Sequence, residues 1–371
     1  MRVLHVAAGN LFGGIEHMLL AVVSAAGGDP SCGHDVAVAF EGRLASELRH
    51  ARSSPRVLGD VRFSRPDTLW RARRALRHAL TAQRYDAVIA HAPWSTALSA
   101  PVVRRANVPF LSWIHDVPHD EQWPERRVAR TPPDRFVCNS HYTAALVARW
   151  IPAVGTTVIH PPVLPSVSHA DRAGVRRELG DSDDVVVVLM AARMESWKGH
   201  RVLLDAATRL RGNVAIWIAG GAQRAEEAVY FDELSRMAAT THGNGVRVRL
   251  LGERLDVPSL MLAADVYCQP NTSPEPFGVV FVEALAAGIP VVTTAAGGAL
   301  EIVDEQCGVL IPHASGATVA AALQQLIDDP ALRRSLGQRG PSRAVRVSDP
   351  SGALNLIAEV VREERTRRSA A

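Results

Sequence analysis

The chain has 371 residues, 47% apolar and 21% charged, with a formal net charge of +3. That length holds two domains with real cores, and that balance excludes a disordered chain. No apolar run approaches the roughly 20 residues of a membrane helix, and aromatic residues at 5% are too few, and too far from the arginines, for a nucleic-acid surface.

In chain order, residues 2–8, 35–40, 86–91, 109–115, 135–140 and 156–160 read as strands. Helical periodicity falls between them, as in 14–26, 68–81 and 94–105. The first run, Met1-Arg2-Val3-Leu4-His5-Val6, is expected to be a strand rather than a secretion signal. The alternation pauses at His160-Pro161-Pro162, where proline lacks a donor and stiffens the chain. It restarts with apolar runs at 185–190, 214–219, 246–251, 266–269 and 290–294, each followed by a helix. Short β-branched runs alternating with helices indicate parallel sheets covered on both faces. The expected architecture is therefore α/β: two Rossmann-like, doubly wound parallel-sheet domains, 1–162 and 163–345, facing a central cleft. A C-terminal helix within 346–371 is expected to return to the first domain, with its charged end from Arg362 to Ala371 frayed.

Ligands of open parallel sheets bind beyond the carboxyl ends of the strands. The first half places Gly13-Gly14, His91, His115 and Asn139-Ser140 there. The second places Arg193, Gly220-Gly221, Gly252-Glu253-Arg254, residues 271–275 and Gly297-Gly298 there. Asp181-Ser182-Asp183 precedes a strand, so it reads as a solvated turn at the opposite end. The cysteines Cys32, Cys138, Cys268 and Cys307 include no C-x-x-C pair, and a reduced, metal-free, cytoplasmic chain is expected.

Lys198 is the only lysine among 41 basic residues. A compact ammonium can act as a point charge on a phosphate where a forked guanidinium does not fit. A second signal, Glu275-Pro276-Phe277-Gly278 with Glu283 eight positions after Glu275, leaves a strand and enters a helix. The amides of Phe277, Gly278 and Val279 at that helix start would form an anion site. Glu275 can accept from sugar hydroxyls, and Glu283 can reach a cis-diol such as ribose. Together they indicate a sugar-nucleotide site.

This segment resembles the E-x7-E signature of family 4 retaining glycosyltransferases, which have the GT-B fold. Arg193 and Lys198 resemble that family's basic pair on the donor diphosphate, Gly13-Gly14-Ile15-Glu16 its first glycine loop, and Ala296-Gly297-Gly298-Ala299-Leu300-Glu301 its late glycine segment. The resemblance implies a hexosyltransferase, of glucose or N-acetylglucosamine type, acting from a UDP-sugar on a hydroxyl acceptor without a cofactor or divalent metal. The first domain would take the acceptor and the second the nucleotide-sugar. His115, Glu275, Lys198 and Arg193 would be catalytic, and Gly13 and Gly14 would lie beside the donor diphosphate and sugar. Glu283, Arg254 and Leu255 would meet ribose and base; Glu16 and His91 would meet the acceptor. Trp94, Trp113 and Trp123 are candidates for an acceptor platform or for core packing.

Residues 1–160 carry 19 arginines against 13 carboxylates, which fits a solvated helix face, attraction of an anionic acceptor, or peripheral contact with the inner face of an anionic membrane. Three other readings remain: a glycoside hydrolase using Glu275 and Glu283, a UDP-sugar epimerase on the same scaffold, and a non-catalytic sugar-nucleotide-binding protein. The hydrolase does not need the cationic pair and helix start together.

Overall fold

The computed structural model describes residues 1–27, 32–164, 171–241 and 245–370. Two compact units divide the chain: Met1–Leu164 with Ser348–Ala371, and Pro165–Val347.

The first unit is built on seven strands: β1 (Arg2–Ala7), β2 (Gly33–Val38), β3 (Arg56–Val57), β4 (Ala87–His91), β5 (Phe110–Ile114), β6 (Arg135–Cys138) and β7 (Thr156–Val158). They form one parallel sheet ordered β3-β2-β1-β4-β5-β6-β7, so the winding reverses between β1 and β4. Successive side chains feed opposite faces. Val3, Val36, Ile89 and Leu111 pack with Met18 and Leu19 of the helix Gly14–Ala26. Leu4, Val88 and Phe110 pack on the other side with Leu76 and Leu98. β3, at two residues, is too short to leave a period in the sequence.

The helix Pro350–Ala370 belongs to this unit, and Ala353, Ile357, Val360 and Val361 join the cluster around Val3 and Met18. Its charged end is not frayed, contrary to the sequence expectation, though Ala371 lies outside the described residues. Glu364 accepts from Arg135 at 2.7 Å, Arg368 reaches Asp134 at 2.7 Å, and Arg365 pairs with Asp86. Asp86 and Asp134 stand just before β4 and β6, so the helix charges find carboxylates along the amino edge of the sheet.

The second unit has six strands: β8 (Val186–Ala191), β9 (Val214–Ala219), β10 (Val246–Gly252), β11 (Val266–Gln269), β12 (Val291–Thr294) and β13 (Gly308–Ile311). They are parallel and ordered β10-β9-β8-β11-β12-β13, with the reversal between β8 and β11. Val188, Met190, Ile216 and Ile218 build its core with Leu203, Leu234 and Leu323. Asp181, expected in a solvated turn, is buried instead: it accepts from Trp217 Nε1 at 2.9 Å and pairs with Arg247 and Arg249. Its carboxylate fastens the amino end of the sheet.

The arginine-rich surface of the first unit is only partly solvated. Arg71 pairs with Asp67 in the open, but Arg73 donates to the Leu98 and Ala97 carbonyls at 3.2 Å, holding one helix against the next. Among the described residues no helix is long and apolar enough to cross a membrane.

Candidate active site

The two strongest sequence signals meet at the winding reversal of the second unit. Lys198 follows β8 and Glu275 follows β11, the neighbouring strands on either side of the reversal, where open α/β sheets hold ligands. Lys198 Nζ donates to Glu275 Oε2 at 3.0 Å, with side-chain exposures of 14% and 7%. The same oxygen accepts from Asn271 Nδ2 at 2.8 Å and Gln269 Nε2 at 3.3 Å. Gln269 in turn is met by the Tyr267 hydroxyl, which lies 2.8 Å from Gln269 Oε1 and 3.0 Å from the Ala191 carbonyl. Three donors on one oxygen fix the Glu275 rotamer and keep its charge partnered.

The loop carrying Lys198 is seated by backbone contacts. Thr272 N–H donates to the Trp197 carbonyl at 2.8 Å. Gly199 has φ +89°, and a Cβ there would lie 2.0 Å from the Pro270 carbonyl oxygen. Only glycine fits so close an approach in the left-handed region. Gly199→Ala is therefore expected to cost about 1–3 kcal/mol of stability through backbone strain, and to lower donor turnover by lifting Lys198 away from Glu275. A melting temperature and turnover equal to wild type would contradict this seating. On the far side, Gly298 N–H donates to the Glu275 carbonyl at 2.7 Å, so the late glycine segment supports the Glu275 turn.

The helix after Glu275 spans Val279–Ala286, with Gly278 as its cap at φ +105°. It therefore starts two residues later than Phe277. Phe277 is buried at 2% exposure, and a Cβ on Gly278 would come within 2.4 Å of the Phe281 ring. Internal packing alone thus requires that glycine, apart from any approach by a phosphate. Glu283 lies further along the helix, partly buried. Arg193 is not in the Lys198 cluster; its guanidinium pairs with Glu195 at 2.9 Å. Glu195 Oε2 is buried without a hydrogen-bond partner, a polar atom left over beside this loop. Arg254, expected near the base, is held by Asp256 at 2.7 Å and by Glu178 at 3.3 Å, and Leu255 is 72% exposed.

In the first unit the strand ends carry a line of imidazoles. His91 ends β4 and His115 follows β5; His91 Nδ1 lies 3.0 Å from His115 Nε2. The other nitrogen of His91 contacts His5 Nδ1 at 2.9 Å, and His5 Nε2 contacts His34 Nδ1 at 2.8 Å. Burial pushes His115 down to about 3 and His34 down to about 4. Burial first, and then neighbouring imidazoles, push His5 and His91 well below the usual range. With 1% exposure and both nitrogens engaged, His91 cannot meet an acceptor as expected. Trp113 is also removed from any platform: it is fully buried and stacked on His91 and His115. Trp94 and Trp123 both pack on Phe63, at 5.3 and 4.4 Å, with Trp123 48% exposed. Glu16 turns back on its own helix start, where Oε2 accepts from Gly13 N–H at 2.9 Å. Gly13 itself is in extended backbone, and a Cβ there would touch only that oxygen, at 3.9 Å. Gly14 opens the helix that follows β1, beside the β1/β4 reversal.

Gln269, Tyr267, His5 and His34 are the site residues that sequence reasoning missed. Each lies in a short buried strand, where one or two polar residues carry no motif.

Two family descriptions match consecutive parts of the chain: Glycosyltransferase Family 4 over residues 12–188, and Glycosyl transferases group 1 over residues 171–343. The chain belongs to glycosyltransferase family 4. Its two parallel-sheet units are the GT-B fold. Among solved structures, Anabaena HepE in complex with UDP and glucose is 25% identical, covering 98% of this chain and 100% of that one, with a TM-score of 0.84. Among curated relatives, the D-inositol 3-phosphate glycosyltransferase of Xylanimonas cellulosilytica is 34% identical over 210 residues, 55% of this chain and 48% of that protein. The GDP-mannose-dependent monoacylated alpha-(1-6)-phosphatidylinositol monomannoside mannosyltransferase of Corynebacterium glutamicum is 28% identical over 181 residues, 46% and 45% of the two chains. The chain thus spans about half the length of the curated relatives it matches.

Proposed function

We propose that this family 4 protein transfers a hexosyl group from a UDP-hexose to a hydroxyl acceptor, with retention of configuration. The observation that carries the reading is the Lys198–Glu275 contact at the β8/β11 reversal, beside the start of the helix Val279–Ala286. An ammonium, a carboxylate and the amides at a helix start suit a sugar attached to a diphosphate, and HepE, similar over nearly the whole chain, was solved with UDP and glucose.

In this reading the anomeric carbon–phosphate oxygen bond breaks with its electron pair moving to the diphosphate. The acceptor oxygen bonds the same face of that carbon and yields its proton to the departing oxygen. Lys198, Arg193 and the amides around Gly278 and Val279 stabilise the charge that develops there. Glu275 orients the sugar hydroxyls, Glu283 the ribose, and His115 lies near the anomeric carbon. Gly13 and Gly14 leave space beside the donor. Arg254 and Leu255 would flank the base, and Arg193 and Arg254 would each exchange a carboxylate partner for the ligand. Protein cations take the role a divalent metal would otherwise fill. The protein would work in the cytoplasm, and the arginine excess of its first 160 residues would favour an anionic membrane surface.

A panel of nucleotide-sugars including UDP-glucose, UDP-N-acetylglucosamine and GDP-mannose, scored for slow release of free nucleotide without acceptor, tests this directly. UDP release from a UDP-hexose, unchanged by EDTA, is the expected result. Sugar isomerisation without nucleotide release would favour the epimerase, and binding without release a non-catalytic protein.

A further inference from the structure

The four imidazoles of the first unit lie on one diagonal of the sheet. In the β1/β2 register Val3 stands opposite His34, so His5 is two residues further along. His5 stands opposite Ile89, and His91 is again two further; His91 stands opposite Trp113, and His115 is two beyond. A two-residue step keeps every ring on the same face, and diagonal neighbours are within reach of ring side chains. The rings stack at centroid separations of 5.1, 5.2 and 5.2 Å with interplanar angles of 24–26°. The line crosses four strands from the second residue of β2 to the residue after β5.

Each contact joins Nδ1 of one ring to Nε2 of the next along the line. A neutral imidazole donates from one nitrogen and accepts at the other. Every N···N contact needs one proton, so the neutral line has only two complete arrangements: all protons on Nδ1, or all on Nε2. A break in polarity would face two lone pairs or two N–H groups inside the core, leaving buried polar atoms unsatisfied. At the outer end, Cys32 Sγ lies 3.4 Å from His34 Nε2. Sulfur is a poor acceptor, while an S–H can donate to a bare ring nitrogen. That favours the arrangement with every proton on Nδ1.

We propose that His34, His5, His91 and His115 act as one tautomeric relay, in which His5 and His34 are positioning residues that make His115 present an Nδ1–H donor at the strand end. The consequence for transfer rests on His115 lying near the donor sugar; the tautomer itself does not. A neutral donor fixed in this way would favour sugar or phosphate oxygens without adding a charge that varies with conditions.

The test is long-range 1H–15N spectroscopy of the full chain with 15N-labelled histidine, which reports the protonated nitrogen of each ring. Substitutions assign the resonances. Wild type is expected to show Nδ1–H at all four rings. In His5→Phe, His115 should shift towards a mixture of Nδ1–H and Nε2–H. Its turnover should fall about tenfold, the loss of one well-aligned hydrogen bond, with donor KM little changed. His34→Leu, nearer the outer end of the line, applies the same test should His5→Phe not fold. Different tautomers among the wild-type rings, or an unchanged His115 in either folded variant, would overturn the relay. His115→Ala with wild-type transfer would instead refute the role of His115 in transfer, while leaving the tautomer result in place.

Discussion

Lys198→Ala is expected to lower nucleotide-sugar turnover about a hundredfold, the loss of roughly 3 kcal/mol of charge stabilisation. Lys198→Arg should be damaged as well. The ammonium sits 3.0 Å from Glu275 Oε2 and 3.8 Å from the centre of the Trp197 ring, with 14% of the side chain exposed. A planar guanidinium is wider than this slot and would move the charge away from the leaving oxygen. Lys198→Ala also leaves the Glu275 carboxylate buried with only Asn271 and Gln269 as donors, so the variant should melt at a lower temperature. Turnover should therefore be compared at a temperature where both proteins are folded. Lys198→Met with Glu275→Gln should regain part of the lost stability and none of the activity. Wild-type turnover in either Lys198 variant would remove the ammonium from the chemistry.

Acid is the second large effect. His115 is held down to about 3, His34 and His200 to about 4, and His5 and His91 lower than usual, in each case chiefly by burial. The unfolded chain regains an ordinary imidazole pKa of roughly 6.5, and so binds more protons than the folded chain below that pH. The stability from keeping these rings neutral is complete above about pH 6.5 and is lost progressively as pH falls towards 4. By pH 5.5 each ring costs about 1.4 kcal/mol, and four of the five lie in the first unit. That unit should lose several kcal/mol between pH 7.5 and 5.5, before most carboxylates titrate. Thermal melts across that range check it: a steep fall is expected, and a flat melting temperature would contradict neutral buried imidazoles.

What the sequence revealed follows the range of its signals. Apart from the short β3 and β13, the strands of both sheets were legible because buried parallel strands are continuous apolar runs, and the Pro161-Pro162 pause lies just before the division at Leu164. Lys198 and Glu275 are 77 residues apart, yet each follows a strand of the β8/β11 reversal, so knowing the strand-end rule brings them together. His5 and His34 were not legible. Each is a single histidine in an apolar strand, and its partner depends on strand order and a two-residue register offset that no local pattern records. The partners of Arg254 were only half legible: Asp256 and Glu178 hold the guanidinium, and only Asp256 is nearby in sequence. The fraying expected of residues 362–371 failed because Asp86 and Asp134 come from distant strands.

The proposed transfer requires a sugar-linked diphosphate to dock at Lys198 and Glu275. A crystal structure of the protein with a non-transferable UDP-hexose analogue tests it most directly. Diphosphate oxygens are expected within hydrogen-bond distance of Lys198 Nζ and of the amides at Gly278 and Val279, with the sugar hydroxyls on Glu275. A diphosphate bound elsewhere, with the Lys198–Glu275 pair closed and untouched, would contradict it.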